Sequence, residues 1–151
     1  MSKEPPRRSL APVRTTFTIS TRGPALYEFT AEVSEWLRAA GAGDGLLTLF
    51  IRHTSASLLI QENADPRVQH DLQTFFHRLV PPSSDPAMGW ITHTQEGPDD
   101  MPAHIKAAMM PVSLQIPVVG GCMDLGTWQG LYVVEHRNAP HTRQVAAHIG
   151  P

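Results

Sequence analysis

The sequence predicts an α+β fold: a single compact domain with a mainly antiparallel β-sheet or sandwich, two longer helices and one short helix. Three observations lead there. Segments that alternate apolar and polar residues stand near both ends of the chain, at Val13 to Ser20 and at Val112 to Val118. Two stretches repeat apolar residues at helical spacing, from Leu26 to Leu37 and from Val68 to Leu79. The order of these segments is not the regular strand–helix alternation of a parallel sheet.

Val13, Thr15, Phe17 and Ile19 alternate with polar neighbours, which describes a strand with one buried face. Gly23-Pro24 follows as a turn whose proline suits the first position of a helix. Leu26, Phe29, Val33, Trp36 and Leu37 mark the apolar face of that helix, and Gly41 and Gly43 end it. Glu28, Glu32, Glu35 and Arg38 form its solvated side. Leu46 to Ile51 is almost continuously apolar, as expected of a central strand covered on both faces. Leu58 to Ile60 reads as the next strand.

Asp65-Pro66 supplies an N-cap and an N1 proline for a second helix. Val68, Leu72, Phe75, Phe76 and Leu79 trace its apolar face, and Pro81-Pro82 stops it. A loop runs from Pro81 to Gly89, Trp90 to Thr92 reads as a short strand, and Met101 to Met110 as a short helix begun by Asp99 or Asp100. The remainder is β-rich: the Val112 to Val118 strand, a Gly120-Gly121 turn, an apolar run Leu131 to Val134, and a last strand Arg143 to Ile149.

A length of 151 residues suits one domain, taken as residues 15–151 after a polar, proline-punctuated leader of residues 1–14 read as flexible. Hydrophobic residues make up 41% and charged residues 17%, which fits a chain with a real core. Twelve Lys and Arg against fourteen Asp and Glu give a net charge of -2 and no basic stripe, which argues against nucleic acid or a membrane surface as partner. One cysteine, Cys122, excludes an intramolecular disulfide framework and a thiolate-only zinc site, and it reads as a small packing residue. No signal peptide is visible, and no run approaches the roughly 20 apolar residues of a membrane span. The expected location, by elimination, is cytoplasmic.

Three polar clusters sit beside the predicted strands. Arg52, His53, Thr54, Ser55, Ala56 and Ser57 follow the most apolar strand, with Gln61, Glu62, Asn63 and Asp65 beyond the next. Small hydroxyl residues let backbone approach an anion; the alternative is a hydroxyl-rich turn, with Glu62 and Asn63 holding the start of the helix. In the second cluster His93 and His104 flank a loop carrying Glu96, Asp99 and Asp100. Histidine with carboxylate suits zinc or another divalent transition metal, carboxylates alone suit magnesium, and an isolated histidine is commonly just a hydrogen-bonded structural residue. No helical i, i+4 histidine pair is present, and His70, His77, His141 and His148 lack neighbouring acids arranged as partners.

The third cluster is Gly126 to Gly130 with Glu135, His136 and Arg137 after the following strand. Trp128 is a ligand-stacking wall or a core anchor. Arg137 has the guanidinium fork that grips phosphate oxyanions. Ser55 or Ser57 near His53 makes a hydroxyl–imidazole pair without a nucleophile-elbow motif, and Cys122 has no evident base.

Together these strings resemble the YjbQ family, small bacterial and archaeal proteins also called secondary thiamine-phosphate synthase enzymes. The matching residues are His53 to Ser57 with Glu62 to Asp65, His93 with Glu96 to Lys106, and Leu125 to Gly130 with Glu135 to Arg137. The resemblance runs from about Phe17 to the C-terminus. It implies an α+β subunit assembling as a homotrimer around a histidine-lined metal site. It also implies a transferase that joins a pyrimidine pyrophosphate to a thiazole phosphate and releases pyrophosphate. Carried over residue by residue, the metal ligands are His53, His93 and His104, and His136 fits the branch of the family that carries Glu-His-Arg.

On that resemblance His53, Glu62 and Asp99 are the catalytic candidates, the two acids orienting a ligand or bound water. Thr54, Ser55 and Arg137 are the candidates for holding a small phosphorylated substrate, and zinc is the expected ion, with magnesium or manganese as alternatives. Family members commonly carry a basic residue where this chain has Cys122, which implies a different hold on phosphate. The opposing expectation is a non-catalytic trimer whose metal or anion sites serve only to hold subunits together.

Overall fold

The computed structural model describes residues 13–151; residues 1–12 of the proposed leader lie outside them, and its last two residues, Val13 and Arg14, already belong to the first strand. The strands are β1 (Val13–Arg22), β2 (Ala25–Glu28), β3 (Gly45–Ile51), β4 (Ala56–Glu62), β5 (Ser113–Val119), β6 (Cys122–Met123), β7 (Gln129–Glu135) and β8 (Pro140–Gly150). The helices are α1 (Thr30–Ala39), α2 (Pro66–Leu79) and α3 (Asp100–Met109). A single 3-10 turn, Pro86–Met88, lies within the long loop after α2.

All strand pairs are antiparallel and fall into two sheets, one of five strands in the order β1-β8-β3-β5-β6 and one of three in the order β2-β7-β4. The main core lies between them, where Leu47, Leu49 and Ile51 of β3 join Leu58, Leu131, Val133 and Val145. Val33 and Leu37 of α1 complete it, with no exposed surface left. A smaller cluster on the other side of β7 gathers Leu26, Tyr132 and Val134 with Leu72 of α2.

That second layer explains where the structure departs from the sequence reading. The strand covered on both faces is β7, whose residues from Gly130 to Glu135 are all buried. In β3 only alternate residues are covered, and Leu46 and Phe50 are 38% and 46% exposed. An apolar run therefore marked a central strand correctly but not a doubly covered one, because the second cover in this fold goes to the smaller sheet.

Leu26 belongs to β2 rather than to the first helix, paired with Val134, because Gly23 makes its turn with φ of 98° and sends the chain back as a strand. The Tyr27 hydroxyl seals this turn, accepting from Arg22 N at 2.7 Å and donating to the Gly23 carbonyl at 2.9 Å. Residues 90–92 form no strand, and Trp90 stands 64% exposed in a loop with no sheet edge to pair. Helix α2 begins as its sequence requires, with Asp65 accepting from Arg67 N at 2.9 Å and Pro66 in the first turn.

Candidate functional site

The loop after the 3-10 turn and the first turns of α3 bring His93, Glu96, Asp100 and His104 together, with one ligand atom of each within 4.8 Å of all the others. Asp100 and His104 share one face of α3 by their i, i+4 spacing, and His93 and Glu96 reach them from the loop. Asp100 is the buried centre. Its Oδ2 lies 2.8 Å from His93 Nε2 and 3.2 Å from His104 Nε2, while Oδ1 accepts from Arg137 Nη1 at 2.7 Å.

Burial pushes the Asp100 carboxyl up, but its contacts with Glu96 and His93 and the charges of His104 and Arg137 outweigh that and hold it below the usual range. Asp99, next in line, is likewise raised by burial and lowered further by the Asn138 N–H and by Arg137.

His104 carries the most informative geometry. Its Nδ1 is 2.8 Å from the Thr54 carbonyl, which only accepts, so Nδ1 bears the proton. In the neutral ring Nε2 is then a lone pair, and it faces the Asp100 carboxylate at 3.2 Å. Two acceptors at that distance require a proton held between them or a cation there. The backbone carbonyl that fixes the ring is the outer support that metal-bound histidines ordinarily have.

Arg137 is spent on this cluster. Nε donates to Asp99 at 2.9 Å, Nη1 to Asp100 at 2.7 Å and Nη2 to the Glu96 carbonyl at 3.1 Å. Where the sequence suggested phosphate oxygens, its fork holds two carboxylates of its own chain. Ser55 is also committed: it is buried, and its Oγ accepts from Arg143 Nη2 at 3.0 Å. Thr54 contributes its carbonyl to His104 and leaves its side chain exposed.

His53 is not brought to the cluster within the chain. Its Nε2 accepts from Gln144 N at 2.8 Å, and its Nδ1 lies 3.4 Å from Arg143 Nη1. Burial first, and then the Arg143 charge, lowers its pKa. Glu62 stands at the far end of β4, about 20 Å from Ala56 by strand rise, and accepts from Asp65 N at 3.1 Å to hold the start of α2. Neither residue joins His93 and His104 in one site of this chain.

The sequence reading missed several participants. Glu96 and Asp100 take the ligand positions within the cluster, and their signal was the i, i+3 spacing to His93 and the i, i+4 spacing to His104. Arg143, with no motif of its own, pairs with the buried Glu135. His136 is buried with its Nε2 2.9 Å from Ser57 Oγ; burial first, with help from the Lys106 charge, pushes it down to about 4, so it is neutral at pH 7.

Comparison with known proteins agrees with this architecture. A family model described as UPF0047 protein YjbQ-like matches residues 15–150. The UPF0047 protein sll1880 of Synechocystis is 47% identical over 131 residues, covering 87% of this chain and 86% of that one. The UPF0047 protein YjbQ of Escherichia coli O157:H7 is 41% identical over 133 residues, covering 87% and 93%. Among solved structures, a hypothetical protein of Aeropyrum pernix K1 superposes with a TM-score of 0.80 at 31% identity, covering 92% of this chain and 99% of that one. An uncharacterised YjbQ/UPF0047 protein of Clostridium acetobutylicum gives 0.78 at 32% identity, covering 89% and 98%. No helix among the described residues is long and apolar enough to cross a membrane. With a matched model spanning nearly the whole domain and relatives this similar, the chain belongs to the YjbQ-like UPF0047 family.

Proposed function

We propose that this protein is a metal-dependent enzyme acting on small phosphorylated substrates, with His93, Glu96, Asp100 and His104 holding the ion. The observation that carries the reading is the His104 lone pair turned toward the Asp100 carboxylate, a contact that a cation between them would satisfy. Two imidazoles with two carboxylates suit zinc, or manganese, better than magnesium, which favours oxygen ligands alone. Bound there, the ion would act as a Lewis acid that neutralises charge on a phosphate or pyrophosphate group.

The chain's own residues supply the rest. Arg137 and the Thr54 carbonyl orient Asp100 and His104 before any ligand arrives, so their geometry needs no rearrangement on binding. His93 and Glu96 have 48% and 64% of their side-chain surface open to solvent, which leaves one side of the cluster accessible to a substrate. The reaction to assay first is the one the family resemblance implies: union of a pyrimidine pyrophosphate with a thiazole phosphate, releasing pyrophosphate.

The same reading takes the protein as a homotrimer. Its support is the outer face of the five-stranded sheet, where Leu46 and Phe50 lie exposed beside the small side chains of Thr16, Thr48 and Ala146. A shallow hollow of about 350 Å³ next to Phe50 offers a place for a second copy's side chain.

Elemental analysis of tag-free protein, with pyrophosphate release assayed on the same sample, tests the function. About one transition-metal ion per chain is expected, lost together with turnover in His104→Ala and Asp100→Ala. Protein that takes up no zinc or manganese when offered them overturns the metal reading.

A further inference from the structure

On the opposite side of α3 from the histidine cluster lies a cavity of about 400 Å³, large enough for a small molecule. Helical spacing separates the two: Asp100 and His104 form one stripe of α3, while Pro102 and Lys106, two residues out of phase, line the cavity. Its lining mixes polar groups, among them Lys106, Gln73, Asn138 and the carboxylate of Asp99, with the apolar side chains of Pro24, Val80 and Pro102.

Two of its donors are unused. Gln73 Nε2 is buried and has no hydrogen-bond partner among the described residues. Lys106 is half-buried and forms no ion pair among the described residues; Asp99, the acid whose charge acts on it, already accepts from Arg137 and Asn138. An orphaned buried amide is costly, about 1–3 kcal/mol, and natural structures leave few of them. An ammonium without an ion-pair partner in the same cavity lining makes the want of an anion explicit.

We infer that this cavity is a second binding site, separate from the histidine cluster, for a small molecule carrying a phosphate group on an apolar or ring-shaped body. Lys106 would provide the charge and Gln73 the neutral donor, and the proline wall would receive the body. His136, held neutral by burial, adds no charge there, and Lys106 supplies the cation. Asp99 borders the cavity and also bonds Arg137, so an occupant there touches the support of the histidine cluster without entering it.

The test is calorimetric titration of phenyl phosphate into protein stripped of metal by chelation, with benzoate as the carboxylate control. Binding is expected in the stripped protein and in His93→Ala, with at least a tenfold loss in both Lys106→Met and Gln73→Leu, and with benzoate at least tenfold weaker. Circular dichroism checks that each variant is folded. Gln73→Leu removes a donor the fold does not use, so it stands as the measure if Lys106→Met fails to fold. No binding to the wild type, binding indifferent to both substitutions, or equal affinity for benzoate overturns the inference. Binding that vanishes with the metal also overturns it, and would place the anion at the histidine cluster, leaving the proposed function intact.

Discussion

Glu135 and Arg143 meet twice in the interior: Arg143 Nε donates to Oε1 at 2.8 Å and Nη2 to Oε2 at 2.6 Å. Glu135 ends β7 in the smaller sheet, and Arg143 lies in β8 of the larger one, so the pair ties the two sheets together. Thr21 and the N–H groups of His136 and Arg137 take up the remaining carboxylate positions. Burial raises the Glu135 carboxyl, and the hydrogen bonds from Arg143, Thr21 and Arg137 with the guanidinium charge reverse that and hold it below the usual range.

Breaking this pair strands a buried charge. Arg143→Met is expected to lower unfolding free energy by about 3–5 kcal/mol, whereas Glu135→Leu with Arg143→Met together recovers most of the loss. Urea denaturation of the two variants decides it; a single variant as stable as wild type would show the pair to be dispensable. Because the folded carboxyl titrates below the unfolded one, the stability it adds is present above the unfolded value and disappears as pH falls through the folded value.

His136 makes a separate acid sensitivity at higher pH. Folded, it titrates at about 4, against 6.5 for the free side chain. Below 6.5 the unfolded chain takes up a proton that the native chain refuses, so stability falls between pH 6.5 and about 4 and is unaffected above 6.5. The loss over that window is about 3 kcal/mol, and His136→Gln is expected to flatten it. Chemical denaturation at pH 7 and pH 4.5 compares the slopes; identical slopes in both proteins would contradict the assignment.

Arg137 is expected to act on metal affinity without touching the ion. Arg137→Met frees Asp99 and Asp100 and should weaken zinc binding about 10- to 100-fold, while His104→Ala removes it. Competition against a coloured chelator measures both. Equal affinity in Arg137→Met and wild type would mean that Asp100 needs no help from the guanidinium.

Charge placed on the outer sheet face should separate subunits. Leu46→Lys with Phe50→Lys is expected to convert a three-chain particle to single chains, read by light scattering after gel filtration. A wild-type particle with the mass of one chain would remove the trimer from the proposal.

The elements were legible wherever local pattern and local structure coincide. Asp65-Pro66 announced α2, and the alternation at Val13 to Ile19 announced β1, because capping and pleating are settled by neighbours in sequence. Leu26 misled because its place depends on pairing with Val134, more than a hundred residues away. The site shows the same divide. His93 and His104 were recognisable from residue type; their partner Asp100 was passed over although it stands one helical turn before His104. What Arg137, Ser55 and Arg143 do depends on which carboxylates and hydroxyls the two sheets bring to them, and no local pattern carries that. His53 belonged to the right motif but lies against Gln144 and Arg143 instead.

Strand β8, Pro140–Gly150, occupies the place between β1 and β3. During synthesis, then, β1 and β3 wait unpaired on that side until β8 has emerged from the ribosome. The large sheet cannot close progressively behind the emerging chain, and its assembly is a late, long-range event of the kind that folds slowly. Until then the facing edges of β1 and β3 are open to other strands, the kind of exposed edge at which nascent chains mispair.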